Sequence, residues 1–482
     1  MNLSRIQHIY FLGIGGIGMS ALARYFHDRG VDVSGYDRTP SPITRALQEE
    51  GIQVRFDQDP GQIPADTRLV VYTPAIPQGS PLMEAARERQ LPMMKRSEVL
   101  GGITRDLPCI AVAGTHGKTT VCAMLAHILK TAGIPAEALM GGIAVNYNSN
   151  YLGAKDPLWI IAEADEFDRS FLHLQPLLAT ITSMDADHLD IYGTRDRLRE
   201  SFGLFAGRVR EGGKLLLRKG LELPEGRRGE ILTYALEEGA DYMAGAIRVE
   251  DGRYVADFRG RLDLPGLLLG VPGRHNVENA LAAAALAAQA GAAPEAIRQA
   301  LGTFLGVRRR FETCYKDAAT VYIDDYAHHP GELRACIETA RELYPGWSVT
   351  GIFQPHLYSR TRDLAWEFAD SLAMLDELLL MDIYPAREEP IPGVNSRMLL
   401  GRVPLGNKHL VDMDQLMQRL EAKRPAVLLT MGAGDIDRLR EPIVRLLMET
   451  GRAGMKATAA SGDRRADTGN SKNGGNDNRA EG

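Results

Sequence analysis

Ala113-Gly114-Thr115-His116-Gly117-Lys118-Thr119-Thr120 is the stretch that decides how this chain folds. It follows the short apolar run Cys109 to Ala113 and opens a helical pattern, Lys118 to Thr131, closed by Gly133 and Pro135. A strand, a glycine loop and a helix start, in that order, make a phosphate cradle. Glycines let backbone N–H groups come close to phosphate oxygens, and a helix N-terminus adds partial positive charge. In such a loop Lys118 reaches the β- and γ-phosphates of a nucleotide, and the hydroxyl of Thr119 or Thr120 ligates Mg²⁺. The loop departs from the common G-x-x-x-x-G-K-[ST] form. Val112 stands where the first glycine is expected, and Gly114 is the first one present.

Acidic groups follow the neighbouring apolar runs. Glu163 ends the run Trp159 to Ala162, and Asp185, Asp187 and His188 follow the run Ala179 to Ser183. Ligands of open α/β sheets bind beyond the carboxyl ends of the strands, so both groups are expected beside the phosphate loop. Carboxylate, hydroxyl, imidazole and phosphate groups suit Mg²⁺, which keeps several waters. Glu163 and His188 read as metal residues. Asp165, Glu166 and Asp168 read as solvated surface charge.

Upstream, Ile9 to Leu12 reads as a buried strand, Gly13 to Gly18 as a glycine turn and Met19 to Arg29 as a helix, with a second strand from Val31 to Tyr36. Gly13-x-Gly15-x-x-Gly18, with Asp37 about twenty residues on, satisfies the dinucleotide fingerprint. Downstream, Arg227 to Leu264 has short alternating runs that predict added β-structure, and Asn276 to Ala290 is an Ala/Leu-rich helix. Thr320 to Ile323, Ser348 to Phe353, Glu377 to Met381 and Ala426 to Thr430 read as strands between helical patterns. Strands alternating with helices imply parallel sheets. The chain is expected to be α/β, in three domains at 1–105, 106–310 and 311–451, with a disordered tail at 452–482 that is too poor in apolar residues to offset its ordering entropy.

The length of 482 residues agrees with about three domains. Net charge is -6, which leaves no basic excess for a nucleic-acid backbone. Cys109, Cys122, Cys314 and Cys336 show no paired or metal-type spacing and read as thiols of a reducing compartment. Neither a signal peptide nor a membrane span is expected.

Together, Gly114-Thr-His-Gly-Lys-Thr-Thr120, Glu163-Ala-Asp-Glu166, Asp187-His-Leu-Asp190 and Gly273-Arg-His-Asn-Val-Glu-Asn279 resemble the Mur ligase family, from Met1 to about Glu449. Gly13-Ile-Gly-Gly-Ile-Gly-Met19 and Asp324-Asp-Tyr-Ala-His-His-Pro330 look like the members that add L-alanine to UDP-N-acetylmuramic acid. The resemblance implies an N-terminal Rossmann-like domain for the UDP-sugar, a central P-loop-type ATPase sheet and a C-terminal Rossmann-like domain for the amino acid. It implies a cytoplasmic, ATP- and Mg²⁺-dependent ligase of cell-wall synthesis, a monomer or weak dimer. Closure would exclude water, on hinges near Arg105 to Pro108 and Gly306 to Phe311.

The family's residue roles carry over where the motifs match. Gly114, Thr115, His116, Gly117, Lys118, Thr119 and Thr120 would cradle ATP, with Lys118 on the γ-phosphate. Thr119, Glu163 and His188 would hold Mg²⁺. Asn276 and Asn279 would contact adenine, for which an amide offers both donor and acceptor; helix capping is the other reading of Asn276. Arg310 would reach a phosphate and Asp325 the ATP ribose. Gly13, Gly15, Gly16 and Gly18 would cradle the UDP pyrophosphate, with Asp37 near the same ligand. In Gln354-Pro-His-Leu-Tyr-Ser-Arg-Thr-Arg-Asp363, Arg360 would clamp the alanine carboxylate, with His356 and Arg362 behind it. Some relatives carry arginine where this chain has Leu357. His329 is the candidate base for the alanine amine, and His328 reads equally as a packed histidine. No lysine lies between Lys155 and Lys214, so the carbamoylated lysine of several sister ligases is not expected.

Three other readings compete. A non-catalytic nucleotide-binding module or switch would keep Lys118 but would not need the loop Gln354 to Asp363. The glycine fingerprint alone would suit an NAD-dependent dehydrogenase, where the phosphate loop and metal arm have no purpose. A recycling ligase adding a whole tripeptide to the same sugar would share most motifs, but usually with a different N-terminal glycine loop.

Overall fold

The computed structural model describes residues 3, 6–185, 192–224, 229–386 and 388–451, with the backbone but not the side chain of Asp168. The expected tail at 452–482 lies outside the described residues. Three sheets follow one another along the chain, which is the α/β architecture expected.

The first sheet has the order β3-β2-β1-β4-β5, with β1 at His8–Leu12, β2 at Asp32–Tyr36, β3 at Gln53–Arg55, β4 at Leu69–Tyr72 and β5 at Met93–Lys95. All of its pairings are parallel. Ile9, Tyr10, Phe11 and Leu12 of β1 are all buried, as befits a central parallel strand covered on both faces. The glycine turn leaves β1 where the strand order reverses between β2 and β4, the crevice at which such sheets take ligands.

The second sheet has ten strands in the order β15-β14-β13-β12-β11-β10-β6-β9-β7-β8. Here β6 is Cys109–Ala113, β7 Ala136–Ala144, β8 Ser149–Leu152, β9 Trp159–Ala164 and β10 Leu178–Ile181. The parallel neighbours β10 and β9 flank β6 on either side. Beyond them lie β11 at Lys214–Arg218 and β12 at Glu230–Ala235. The segment expected to add β-structure completes the sheet with an antiparallel meander, β13 at Tyr242–Glu250, β14 at Arg253–Gly260 and β15 at Leu264–Leu268.

Packing joins these first two sheets. Met1–Arg310 forms one compact unit, and a second begins at Phe311. A single apolar cluster runs from Ile9, Phe11 and Leu22 to Leu139, Ile160 and Ala162. Two arginines of the helix Ile17–His27 and its end reach the second sheet. Arg24 donates to Asn150 Oδ1 at 2.5 Å, and Arg29 to both carboxylate oxygens of Glu137 at 2.7 Å.

In the second unit, β16 (Glu312–Lys316), β17 (Val321–Asp325), β18 (Val349–Phe353), β19 (Glu377–Leu380), β20 (Lys408–Leu410) and β21 (Val427–Met431) form a sheet of order β16-β17-β21-β18-β19-β20. Only β16 runs antiparallel. Val321, Ile323, Leu378 and Leu429 centre its core.

Candidate functional site

The phosphate loop joins β6 to the helix Lys118–Thr131, whose bounds match the sequence pattern. Gly117 caps that helix in the left-handed region at φ +82°, where any side chain is strained. The residues after β10 brace the loop. Thr115 N–H donates to Ser183 O at 3.2 Å, His116 N–H to Ser183 Oγ at 2.9 Å, and Thr115 Oγ1 to Asp185 O at 3.1 Å. Sequence reasoning passed over Thr182 and Ser183. Their signal was position, as the first polar residues beyond an apolar strand.

Strand β9 runs on to Ala164, so Glu163 lies within it and not after it, opposite Val112 of β6. Its carboxylate accepts from Thr119 Oγ1 at 3.0 and 3.2 Å and from Gly141 N–H at 2.9 Å. A methyl on Gly141 would run into that carboxylate. Burial pushes the Glu163 carboxyl up, against the pull of Lys118, the Thr119 hydrogen bond and Arg310. The Arg310 guanidinium is thus within electrostatic reach of Glu163. Thr119 and Glu163 present the oxygen donors that a hard dication takes together with phosphate and water. Among the described residues no three His, Cys, Asp or Glu side chains gather as a metal cage. His188 and Asp187 lie outside the described residues.

The arm after β9 corrects the sequence reading. Glu166 is not solvated surface charge. It is 1% exposed and pairs with Lys118 Nζ through both oxygens, at 2.8 and 3.0 Å. Burial alone would lower the Lys118 pKa, but Glu166, Asp165 and Glu163 outweigh it and hold the ammonium above its ordinary value. Asp165 is half-buried and meets Arg96 Nη2 at 3.4 Å. The Asp168 side chain lies outside the described residues.

Asn276 is the third residue of the helix Arg274–Gln289 and does not precede it, so it is not its cap; that position falls to Gly273. The Asn276 amide donates to Pro272 O at 2.6 Å and accepts from Asn279 Nδ2 at 3.2 Å. Asn279 Oδ1 lies where a methyl on Gly117 would point. The two asparagines are thus brought to the phosphate loop from about 160 residues away in the chain, as the packing of helix on helix requires.

In the first sheet, Gly15 N–H donates to Asp37 Oδ2 at 2.8 Å and Thr39 N–H to Asp37 Oδ1 at 3.3 Å. Asp37 therefore shapes the glycine turn itself. Gly13 takes φ +86°, Gly16 caps the helix, and Gly18 falls in its first turn. The Arg96 guanidinium packs on Gly18 and also meets Asp165. Arg96, missed in the sequence, thereby links the glycine turn to the arm that carries Glu166.

In the second unit, Asp325 is buried at the end of β17 and accepts from Phe311 N–H and Ala327 N–H, both at 2.7 Å. His329 caps the helix Pro330–Leu343, and its N–H donates to Glu332 at 3.3 Å. Arg360, in the helix Tyr358–Asp363, lies 3.4 Å from His356 Nδ1, and the His356 ring stacks on Tyr384. Arg362 is exposed and pairs with Asp363. Leu357 sits at φ +72°, a sparse region for leucine, and its N–H donates to Tyr384 O at 3.0 Å. These loops follow β17, β18 and β19 at their carboxyl ends.

Comparison with known proteins agrees with this layout. Three family profiles match in order, the Mur ligase family catalytic domain over residues 8–107, the Mur ligase middle domain over 112–287 and the Mur ligase glutamate ligase domain over 309–434. A protein of Parabacteroides distasonis named UDP-N-acetylmuramate–L-alanine ligase is 48% identical over 93% of this chain and 98% of its own. A protein of the same name from Flavobacterium johnsoniae is 47% identical over 93% and 100%. The crystal structure of UDP-N-acetylmuramate-alanine ligase from Thermotoga maritima superposes with a TM-score of 0.79 at 29% identity, covering 92% of this chain and 99% of that one. A murein peptide ligase of Psychrobacter arcticus shares the fold, with a TM-score of 0.67 at 23% identity over 92% and 98%. With its phosphate loop, Asn276 and Asn279 inside the middle-domain match and the three profiles following the three sheets in order, the chain belongs to the Mur ligase family.

Proposed function

We propose that the chain joins L-alanine to the carboxylate of UDP-N-acetylmuramic acid at the expense of ATP, in peptidoglycan synthesis. The observation that carries this reading is the meeting of Lys118, Thr119 and Glu163 at the carboxyl ends of β6 and β9. Relatives nearly half identical over almost the whole chain bear the name of that activity.

A carboxylate is a poor electrophile, and phosphoryl transfer from ATP turns it into an acyl phosphate. Such transfer needs positioning and charge stabilisation more than covalent help. The loop N–H groups and Lys118 hold the phosphates, Arg310 adds a fork of donors, and Asn276 and Asn279 take the base. Thr119 and Glu163 would hold Mg²⁺, which supplies charge to offset that of the phosphates. The glycine turn, shaped by Asp37, takes the UDP pyrophosphate. Asp325 takes the ATP ribose and Arg360 the alanine carboxylate. The alanine amine must attack as the neutral form, and His329 accepts its proton. Collapse of the tetrahedral adduct expels phosphate and leaves the amide.

Among the described residues no helix is long and apolar enough to cross a membrane. We place the reaction in the cytoplasm, where both nucleotide substrates are found. A tripeptide-adding ligase is the nearest alternative, but the murein peptide ligase that superposes on this chain is 23% identical to it, against 48% for the alanine-adding relative.

The test is phosphate release from ATP with UDP-N-acetylmuramic acid and a series of amino acids. L-Alanine should support release. Glycine and L-serine should be disfavoured by roughly 10- to 200-fold, the range open to a pocket that senses one small group. Release with a tripeptide and none with alanine would replace this reading by the recycling one. Lys118→Ala should abolish release while UDP-sugar binding persists.

A further inference from the structure

Lys118 spends every donor it has. An ammonium offers three N–H groups. One goes to Gly114 O at 2.6 Å, one to Thr115 O at 3.3 Å and one to the Glu166 carboxylate at 2.8 and 3.0 Å. A nucleotide phosphate can therefore reach this ammonium only by displacing one of the three. The two carbonyls belong to the loop and are held with it by Ser183 and Asp185. Glu166 is the acceptor that can leave. Tyr192 OH grips its backbone carbonyl at 2.6 Å, so the main chain is anchored and an exchange needs only a turn of the Glu166 side chain.

The two nearby carboxylates are also sorted. Glu163 is taken by Thr119 Oγ1 and Gly141 N–H, and Glu166 by Lys118. With Glu166 in place, the ammonium is satisfied without drawing Glu163 away from Thr119.

We propose that Glu166 is a positioning residue for Lys118: its buried carboxylate holds the ammonium bent over the phosphate loop, and a nucleotide phosphate takes that place by exchange. One anion replaces another, so the lysine is never left unpaired in a poorly solvated site, where an isolated charge is costly. The exchange has a consequence for affinity. Glu166 competes with the nucleotide for Lys118 and repels it, so removing the charge strengthens nucleotide binding.

This inference rests on the reading of the loop as a nucleotide site, and the test separates the two. ADP is titrated into the full chain by calorimetry, without divalent cation, for the wild type and for Glu166→Gln, a near-isostere. Adenosine, which lacks phosphate, is titrated alongside. The Gln variant should bind ADP at least about tenfold more tightly, the scale of a close charge pair in a partly screened site, with adenosine binding unchanged. ADP binding that is unchanged or weaker overturns the inference, as does an equal gain for adenosine, which would mark general loosening. Glu166→Asp keeps the charge but shortens its reach. It should give a smaller gain for ADP, and this decides the matter if the Gln variant does not fold; no gain would again overturn the inference. A wild-type chain that binds no ADP would remove the nucleotide reading itself.

Discussion

Arg29, at the end of the first sheet's helix, holds the carboxylate of Glu137 on β7 of the second sheet through both oxygens at 2.7 Å. Glu137 is 1% exposed and Arg29 33%. Burial pushes the Glu137 carboxyl up even with Arg29 beside it, so the pair only partly offsets the cost of its own desolvation. Arg29→Ala would leave that buried carboxylate without its cation. It should destabilise the first unit by about 2–3 kcal/mol, at the low end for a broken buried pair because Arg29 is partly solvated. Urea denaturation measures this. The double replacement Arg29→Met with Glu137→Met should cost less than Arg29→Ala alone, and a larger loss would refute the account.

Gly117→Ala tests the junction between the phosphate loop and the asparagine helix. The φ of +82° costs an alanine about 1 kcal/mol, and its methyl would press on Asn279 Oδ1. Thermal stability should fall slightly. ADP affinity should fall by roughly tenfold or more, because both the loop N–H groups and the amide of Asn279 are displaced. Native affinity in that variant would show that Asn279 is not part of the site.

Arg360→Lys keeps the charge and loses the fork. Two parallel N–H donors match a carboxylate, and an ammonium cannot reproduce them. The KM for L-alanine should rise by about tenfold or more while that for ATP stays near native. Steady-state phosphate release with each substrate varied in turn reads both. An unchanged alanine KM would move the carboxylate contact elsewhere.

Asp317 offers a pH test in the second unit. Desolvation raises its pKa, but hydrogen bonds from Tyr315 OH at 2.7 Å, Ala319 N–H at 2.9 Å and Thr320 N–H at 2.8 Å, with the Arg424 pair, outweigh it and hold the carboxyl well below the usual range. The folded state thus binds the proton less readily than the unfolded one. The stability this contributes is fully present above the unfolded pKa of about 3.9 and is lost as pH falls through the lower folded value. Asp317→Asn should cost about 1–3 kcal/mol at pH 7, and its stability should fall less steeply than the wild type's below about pH 4. Parallel acid-unfolding slopes would contradict this.

The phosphate loop was legible because its chemistry is local. Gly117, Lys118 and Thr119 are adjacent in the chain, and the helix they open begins and ends where the pattern placed it. The central strands β1, β2, β6, β9, β10, β17, β18, β19 and β21 were legible for the same reason, as apolar runs between turn residues, with shifts of a residue or two at their ends, whereas β3, β5, β7, β8, β11, β16 and β20 were not read from the sequence. Glu166 was misread because an acid in isolation belongs at the surface. Its partner Lys118 is 48 positions away, and no local pattern reports such a distance. Arg96 was missed likewise, since its partner Asp165 is 69 positions away.

The order of residues by itself determined the loop, the alternation of strands and helices and the identity of the groups that could carry chemistry, because each depends on neighbours a few positions apart. Tertiary structure alone decided which charges are buried, which pair with which, and that the first two sheets share one core. Those depend on solvent exclusion, and only the packed chain establishes where water is excluded.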